Sequence, residues 1–341
     1  MKAAVFYGKH DLRVEEIERP VPEEGQILIR VEACGICGTD IHIFEGDEGA
    51  APSPAGTVLG HEFSGTVVET GPSVKRIKAG DRVCADPNKL CGECYYCKSG
   101  LGHFCENMVG IGTTVNGGFA QYCVIPEEQA YPFSDKVSFE EAAMTEPLAC
   151  CLHGIDLCGI QSGDTVAVFG AGMIGLLMIQ LARLNGAAKV IAIEPVEEKR
   201  KMALKLGASL AVDPFNQDLN QVLKEQKVER IQTVIECAGR VDTMKQAIEI
   251  AGKKSVVMLF GLTKPDAELP VKPFELFKKE VVLKASYINP YTQSRAVELI
   301  DSGRIDVKSM VYRIASLEEL PGILGDAKLR SMGKIIISPN H

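Results

Sequence analysis

A chain of 341 residues exceeds the ~150 usual for one domain, which predicts two domains or one large domain with insertions. With 46% hydrophobic and 24% charged residues, its composition is globular and excludes disordered, collagen-like and fibrous classes. Its 37 basic and 45 acidic residues give a net charge of -8, the wrong sign for tracking a phosphate backbone, so no nucleic-acid partner is expected.

The opening stretch MKAAVFYGKHDLRVEE lacks the unbroken apolar core of a secretory signal, which favours a cytoplasmic location. Up to about residue 145, short β-rich runs (KAAVFY, QILIRVEAC, FSGTVVETG and FAQYCVIP) alternate with Gly- and Pro-rich turns and predict a mostly β domain. Without an export signal the twelve cysteines are expected to be reduced, and their clustering points to metal. Cys37 in CGICGTDIH and His61-Glu62 in GHEFSG offer a thiolate, an imidazole and a carboxylate, a donor set suited to zinc with one coordination position left open. A Lewis-acidic zinc there would polarise an alcohol oxygen and make the alkoxide a better hydride donor. Spacing alone does not separate this set from ordinary core or surface residues. Cys91, Cys94, Cys97 and Cys105, in CGECYYCKSGLGHFC, fit a closed tetrahedral zinc site that stabilises its lobe without reacting. An iron–sulfur cluster is the alternative there, although nothing else suggests electron transfer. His103, inside the loop, reads as a bystander.

After Glu146-Pro147 the pattern changes. TVAVFG, KVIAIE, TVIECAG, SVVMLFG and VVLKASY are strand-like and alternate with amphipathic helices, which predicts a parallel sheet with helices on both faces. The uncharged stretch from Thr165 to Ala182 is broken by glycines and Gln180 and makes a poor membrane span, so no membrane partner is expected. It contains GAGMIG, with Gly170, Gly172 and Gly175 between the strand TVAVF and a helical run, the context of a dinucleotide-binding turn. The glycines allow a tight turn, close approach of a pyrophosphate to backbone N–H groups, and close helix–strand packing. The next strand ends at Glu194, where a carboxylate accepts hydrogen bonds from a ribose and repels a 2′-phosphate, which favours NAD over NADP. Lys199 and Arg200 nearby work against that preference. The tail offers helices at SRAVELIDSG and SLEELPGIL and the strand GKIIIS, and is expected to return to the first domain.

Taken together, CGICGTDIH, GHEFSG, the four-cysteine lobe, the GDRV turn and GAGMIG resemble, in order and along the whole chain, the zinc-dependent medium-chain dehydrogenases/reductases. Within them, TEPLACCLHG is similar to the sorbitol dehydrogenase group, while CGTDIHIF is also similar to threonine dehydrogenases. The resemblance implies a GroES-like β-rich catalytic domain (1–146 with 290–341) and a Rossmann NAD-binding domain with a doubly wound parallel sheet (147–289), the site lying between them. It implies zinc ligation by Cys37, His61 and Glu62, with Glu146 as an alternate fourth ligand beside the bound water or substrate. Asp40 would orient the zinc histidine, and Thr39 and His42 would relay the alcohol proton outward. Ile174, Glu194, Lys199, Phe260, Gly261, Leu262, Ser286, Tyr287 and Ile288 would contact the nucleotide. Where some sorbitol dehydrogenases carry Arg and Tyr after the last strand, this chain has Ile288 and Asn289, whose amide can still hydrogen-bond a hydroxyl.

The function expected is hydride transfer between a secondary alcohol or polyol and NAD, with one catalytic and one structural zinc. The resemblance also implies a homo-oligomer, a dimer or tetramer. Threonine and phosphorylated polyols are the alternative substrates, and an NADH-sensing binding module is the non-enzymatic alternative.

Overall fold

The computed structural model describes residues 1–47 and 52–340. The chain forms two compact units, Met1–Ala149 with Asn289–His341, and Cys150–Ile288. The first division falls inside the helix Thr145–Cys158, after the expected break at Glu146-Pro147. Pro147 lies in the first turn of that helix, where a missing N–H removes no intrahelical hydrogen bond, so the proline starts the helix instead of ending an element. The second division falls at Ile288/Asn289, one residue before the expected start of the tail segment.

In the first unit, the strand Gln26–Gly35 is the centre of a seven-stranded sheet, and its residues are buried along almost their whole length. It pairs antiparallel with Glu62–Thr70, with Tyr122–Pro126 and with the C-terminal strand Lys334–Ile337. The tail thus returns to the first unit, where Ile336 and Ile337 face Gly35 and Cys34 across the ladder. A three-stranded sheet, with Lys2–Gly8 between Asp11–Glu16 and Thr57–Val58, packs its apolar side chains into the same core, where Phe63 and Phe119 are enclosed. The register sets Gly35 opposite Glu62, so the chain leaving the central strand toward Cys37 emerges beside His61-Glu62.

The second unit holds a six-stranded, all-parallel sheet. In chain order its strands are Thr165–Phe169, Lys189–Ile193, Leu210–Val212, Thr233–Glu236, Val256–Leu259 and Val282–Ala285. In space they run third, second, first, fourth, fifth, sixth, the order of a dinucleotide-binding doubly wound sheet. The inner strands are buried on both faces, as helices packed on each side require. Among the described residues, no helix is long and apolar enough to cross a membrane.

Candidate active site

Cys37 stands two residues past the end of the central strand and immediately before the short helix Gly38–Phe44, so its position is set by the strand and its orientation by the helix start. Its backbone N–H donates to Asp40 Oδ2 at 2.9 Å, and its Sγ lies 3.8 Å from Thr39 Oγ1. One ligand atom each from Cys37, His61 and Glu62 lie within 4.8 Å of one another. Behind them Asp40, fully buried, places Oδ1 3.5 Å from His61 Nδ1 and leaves the other ring nitrogen to face the cluster. Glu62 is also fully buried, and its Oε1 has no hydrogen-bond partner among the described residues. An orphaned carboxylate oxygen in this setting asks for a cation.

The protonation balance supports the same demand. Burial, with the Glu62 charge, pushes the Cys37 thiol up. Burial alone would lower His61, but Asp40 and Cys37 outweigh it and hold the imidazole well above its ordinary range. The cluster thus retains protons that a divalent ion would displace, and sulfur, nitrogen and oxygen donors fit zinc. His42 lies nearer the surface, its side chain 31% exposed and its Nδ1 3.1 Å from Asp47 Oδ2. Glu146 is buried in the first turn of the helix Thr145–Cys158 and stands outside the three-residue cluster.

The four cysteines of the lobe also converge, their sulfurs all within 4.8 Å of one another. Cys91 Sγ and Cys97 Sγ are 3.9 Å apart, and the backbone N–H groups of Cys94 and Cys97 point at the sulfurs of Cys91 and Cys94, at 3.4 and 3.5 Å. Donation from the Glu93 and Cys94 backbone lowers Cys91 to about 6, while burial pushes Cys97 up to about 12, so without a metal the four thiols do not all ionise. The donor set fits a closed tetrahedral zinc site. His103 takes no part in this cluster.

In the second unit, the residues expected to hold a dinucleotide lie at the carboxyl ends of the parallel strands, except Lys199, on the helix Glu197–Lys205, and Ile174 and Gly175, on the helix Met173–Leu184. Gly170 follows the first strand with φ +85°, and a Cβ on Gly175 would fall 1.8 Å from Gly170 O, so only glycine permits the turn to close on the helix. A Cβ on Gly172 would meet nothing within 4 Å, which leaves open space at the N-terminus of the helix Met173–Leu184. Phe260 and Gly261 pack against the fourth strand's end through N–H donation to Glu236 O, while Leu262 is exposed. Tyr287 is partly exposed, Ser286 keeps a buried Oγ, and Ile288 has φ +44° where the chain leaves the unit.

Two side chains are oriented differently from the expectation. Glu194 is buried: its Oε2 accepts from Ala171 N at 2.7 Å and its Oε1 from Val196 N at 2.9 Å, so it braces the glycine turn with both oxygens. Arg200 is committed too, donating to the carbonyls of Glu194 and Pro195 and pairing with Asp213 at 3.1 Å. Asn289 is a correction. It is 3% exposed, its Oδ1 accepts from Asn88 Nδ2 at 2.6 Å and its Nδ2 donates to Asp86 Oδ1 at 3.2 Å, so its amide is used inside the first unit and is not offered to a substrate hydroxyl. Sequence reasoning missed this Asp86–Asn88–Asn289 knot and also Lys334, whose ammonium pairs with Glu62 in the interior. The only signal for Lys334 was a charged residue opening the apolar run KIIIS.

Comparison with known proteins agrees with this architecture. Residues 23–135 match the alcohol dehydrogenase GroES-like domain family, and residues 174–302 match the zinc-binding dehydrogenase family. The chain is 32% identical to D-arabinitol dehydrogenase 1 of Uromyces fabae, covering 99% of this chain and 97% of that protein. It is 32% identical to the sorbitol dehydrogenase of Halalkalibacterium halodurans, over 99% of both chains. A zinc-binding dehydrogenase of Sinorhizobium meliloti 1021, solved bound to NADP, superposes with a TM-score of 0.94 at 38% identity over 99% of both chains. The chain is an oxidoreductase of the zinc-dependent medium-chain dehydrogenase superfamily, polyol dehydrogenase-like, which works with zinc and a nicotinamide dinucleotide.

Proposed function

We propose that the protein transfers a hydride between a secondary alcohol or polyol and NAD, giving the ketone or ketose. The observation that carries this reading is the buried convergence of Cys37, His61 and Glu62, backed by Asp40. These residues would hold a zinc ion, which supplies a Lewis acid that lowers the pKa of the alcohol. Glu146 helps to place water and substrate. Thr39, beside Cys37 Sγ, takes the alcohol proton and His42, half-buried and paired with Asp47, passes it to solvent. The glycine turn and the strand ends of the second unit hold the dinucleotide, with its pyrophosphate in the space beside Gly172.

NAD is the preferred dinucleotide. The Glu194 carboxylate, although both its oxygens brace the turn, still places a negative charge that disfavours a 2′-phosphate, and Arg200 commits its Nη1 to two carbonyls and to Asp213. A second zinc, held by Cys91, Cys94, Cys97 and Cys105, stabilises the lobe. The working form is a homo-oligomer in the cytoplasm.

The test is metal analysis joined to turnover. Purified protein should contain two zinc ions per chain and form NADH from NAD with members of a panel of sorbitol, xylitol, arabitol, galactitol phosphate, threonine and simple alcohols. Cys37→Ser should lose one zinc and all turnover. A single zinc retained by that variant refutes the catalytic assignment, turnover restricted to threonine or to the phosphate ester replaces the substrate class, and comparable kcat/KM with NADP removes the cofactor preference.

A further inference from the structure

We propose that Lys334 is a positioning residue of the metal centre: it holds one oxygen of Glu62, so that Glu62 ligates zinc through the other oxygen alone. The proposal rests on the reading of Cys37, His61 and Glu62 as zinc ligands. Lys334 opens the C-terminal strand and is 3% exposed, flanked by the buried residues Ile335, Ile336 and Ile337. Its Nζ pairs with Glu62 Oε2 and donates to Ile36 O at 2.8 Å. Burying an ammonium this deeply is costly unless its partners are fixed, and such a group is replaceable by an apolar one when only stability is at stake.

The surrounding backbone is shaped for this pair. The central strand carries Gly35 between the two charged residues, where a Cβ would fall 2.4 Å from Glu62 Oε2 and 2.7 Å from Lys334 Cε. Gly35 faces Glu62 in one ladder and Ile336 in the other, so the two flanking strands present carboxylate and ammonium over a position with no side chain. With Oε2 taken, Glu62 keeps only Oε1, the oxygen that is buried and unpartnered among the described residues. A carboxylate restricted in this way occupies one coordination position and leaves the next one open for substrate, which a catalytic zinc site requires and a two-oxygen carboxylate would crowd. Lys334 also supplies the positive charge that, together with a divalent ion, matches the Cys37 thiolate and the carboxylates of Asp40 and Glu62.

Cobalt placed in the catalytic site of the full-length protein tests this, because its visible spectrum reports coordination number independently of activity. Wild type should show the intense bands of a four-coordinate ion. In Lys334→Met, Glu62 is free to bring both oxygens to the metal, and the bands should weaken severalfold while kcat/KM falls 10–100-fold, the range for lost partners of a metal ligand. Lys334→Arg, which keeps a donor and the charge, should restore the wild-type spectrum. An unchanged spectrum in Lys334→Met overturns the proposal and leaves Lys334 as a neutraliser of Glu62. X-ray absorption on wild-type protein needs no variant: one Glu62 oxygen on the metal supports the proposal, and two refute it even if Lys334→Met does not fold. Absence of a thiolate-to-cobalt band that Cys37→Ser removes would instead defeat the ligand assignment itself.

Discussion

Asp40 has no exposed surface, and it meets two demands at once. One oxygen accepts the Cys37 N–H at 2.9 Å, and the other stands 3.5 Å from His61 Nδ1. Asp40→Asn keeps the shape and an oxygen for Cys37 but removes the charge that fixes the imidazole. It is expected to weaken zinc binding at the Cys37 site 10–100-fold, measured by competition with a chromophoric chelator, while the four-cysteine site keeps its metal. Unchanged affinity would reduce Asp40 to a helix-start residue. The glycine turn separates closure from ligand space in the same way. Gly175→Ala places a methyl 1.8 Å from Gly170 O and should destabilise the protein by about 1–3 kcal/mol, the usual range for overpacking. Gly172→Ala meets no protein atom within 4 Å, so it should leave the melting temperature unchanged and weaken NADH, because the methyl enters the space assigned to the pyrophosphate. Titration of NADH fluorescence against both variants distinguishes the two effects, and full NADH affinity in Gly172→Ala would move the pyrophosphate elsewhere.

The lobe buries few side chains of its own: Cys94, His103 and Cys105 are buried, but little apolar bulk joins them. The helix Tyr95–Lys98 has no buried residue, Tyr95 and Phe104 are exposed, and the ring contacts of Tyr96 with Tyr95 and Phe104 lie at its surface. The zinc proposed for the four cysteines would supply that order, as metal does in small zinc modules, where binding contributes roughly 10–16 kcal/mol. Cys94→Ser is expected to make the segment around 91–105 susceptible to a protease at a concentration that leaves wild type intact, with cleavage sites read by mass spectrometry. Resistance equal to wild type would mean that the fold, not the metal, orders the lobe. The convergence of the four cysteines was legible in the sequence because they are near neighbours along the chain. Long apolar runs such as QILIRVEAC and TVAVFG were legible because burial on one or both faces forces that composition. Leu210–Val212, Thr57–Val58, Asn88–Lys89 and Val109–Gly110 are too short to carry a period and exist because a neighbouring strand offers a ladder. Lys334 was illegible for a different reason. Its meaning lies in a pairing register that joins the chain's end to Gly35 and Glu62, and the inward turn of Glu194 likewise depends on where the Ala171 N–H points.

At the scale of the whole chain, both crossings between the units are tied down side by side in the first unit. The outgoing helix receives a hydrogen bond from Thr292 Oγ1 to Ala149 O at 2.7 Å, and Gln293 Nε2 donates to Ala85 O and Thr145 Oγ1 at 3.2 and 3.1 Å. The incoming chain is held at Asn289 by Asn88 and Asp86. Burial raises the Asp86 carboxyl from 3.8 to about 6, against the opposing effect of N–H donation from Asn88 and Asn289. A folded-state pKa above the unfolded one means that the folded chain holds its proton longer. The group therefore has no effect on stability well below pH 3.8, lowers it as pH rises from there to about 6, and opposes folding by a constant amount above that. A carboxyl raised from 3.8 to about 6 costs about 3 kcal/mol in full once ionised, of which about 2 kcal/mol develops between pH ~4.5 and ~7.5. Asp86→Asn keeps an oxygen for the two donors and does not ionise. Whatever constant cost its amide adds, the stability of the variant relative to wild type should rise by about 2 kcal/mol between those two pH values, read from urea unfolding of both proteins at each pH. Any release of metal at the lower pH acts on both proteins and cancels in the difference. A difference that stays flat with pH would mean that Asp86 ionises in the folded protein as readily as in the unfolded chain, and that burial at the knot does not hold its proton.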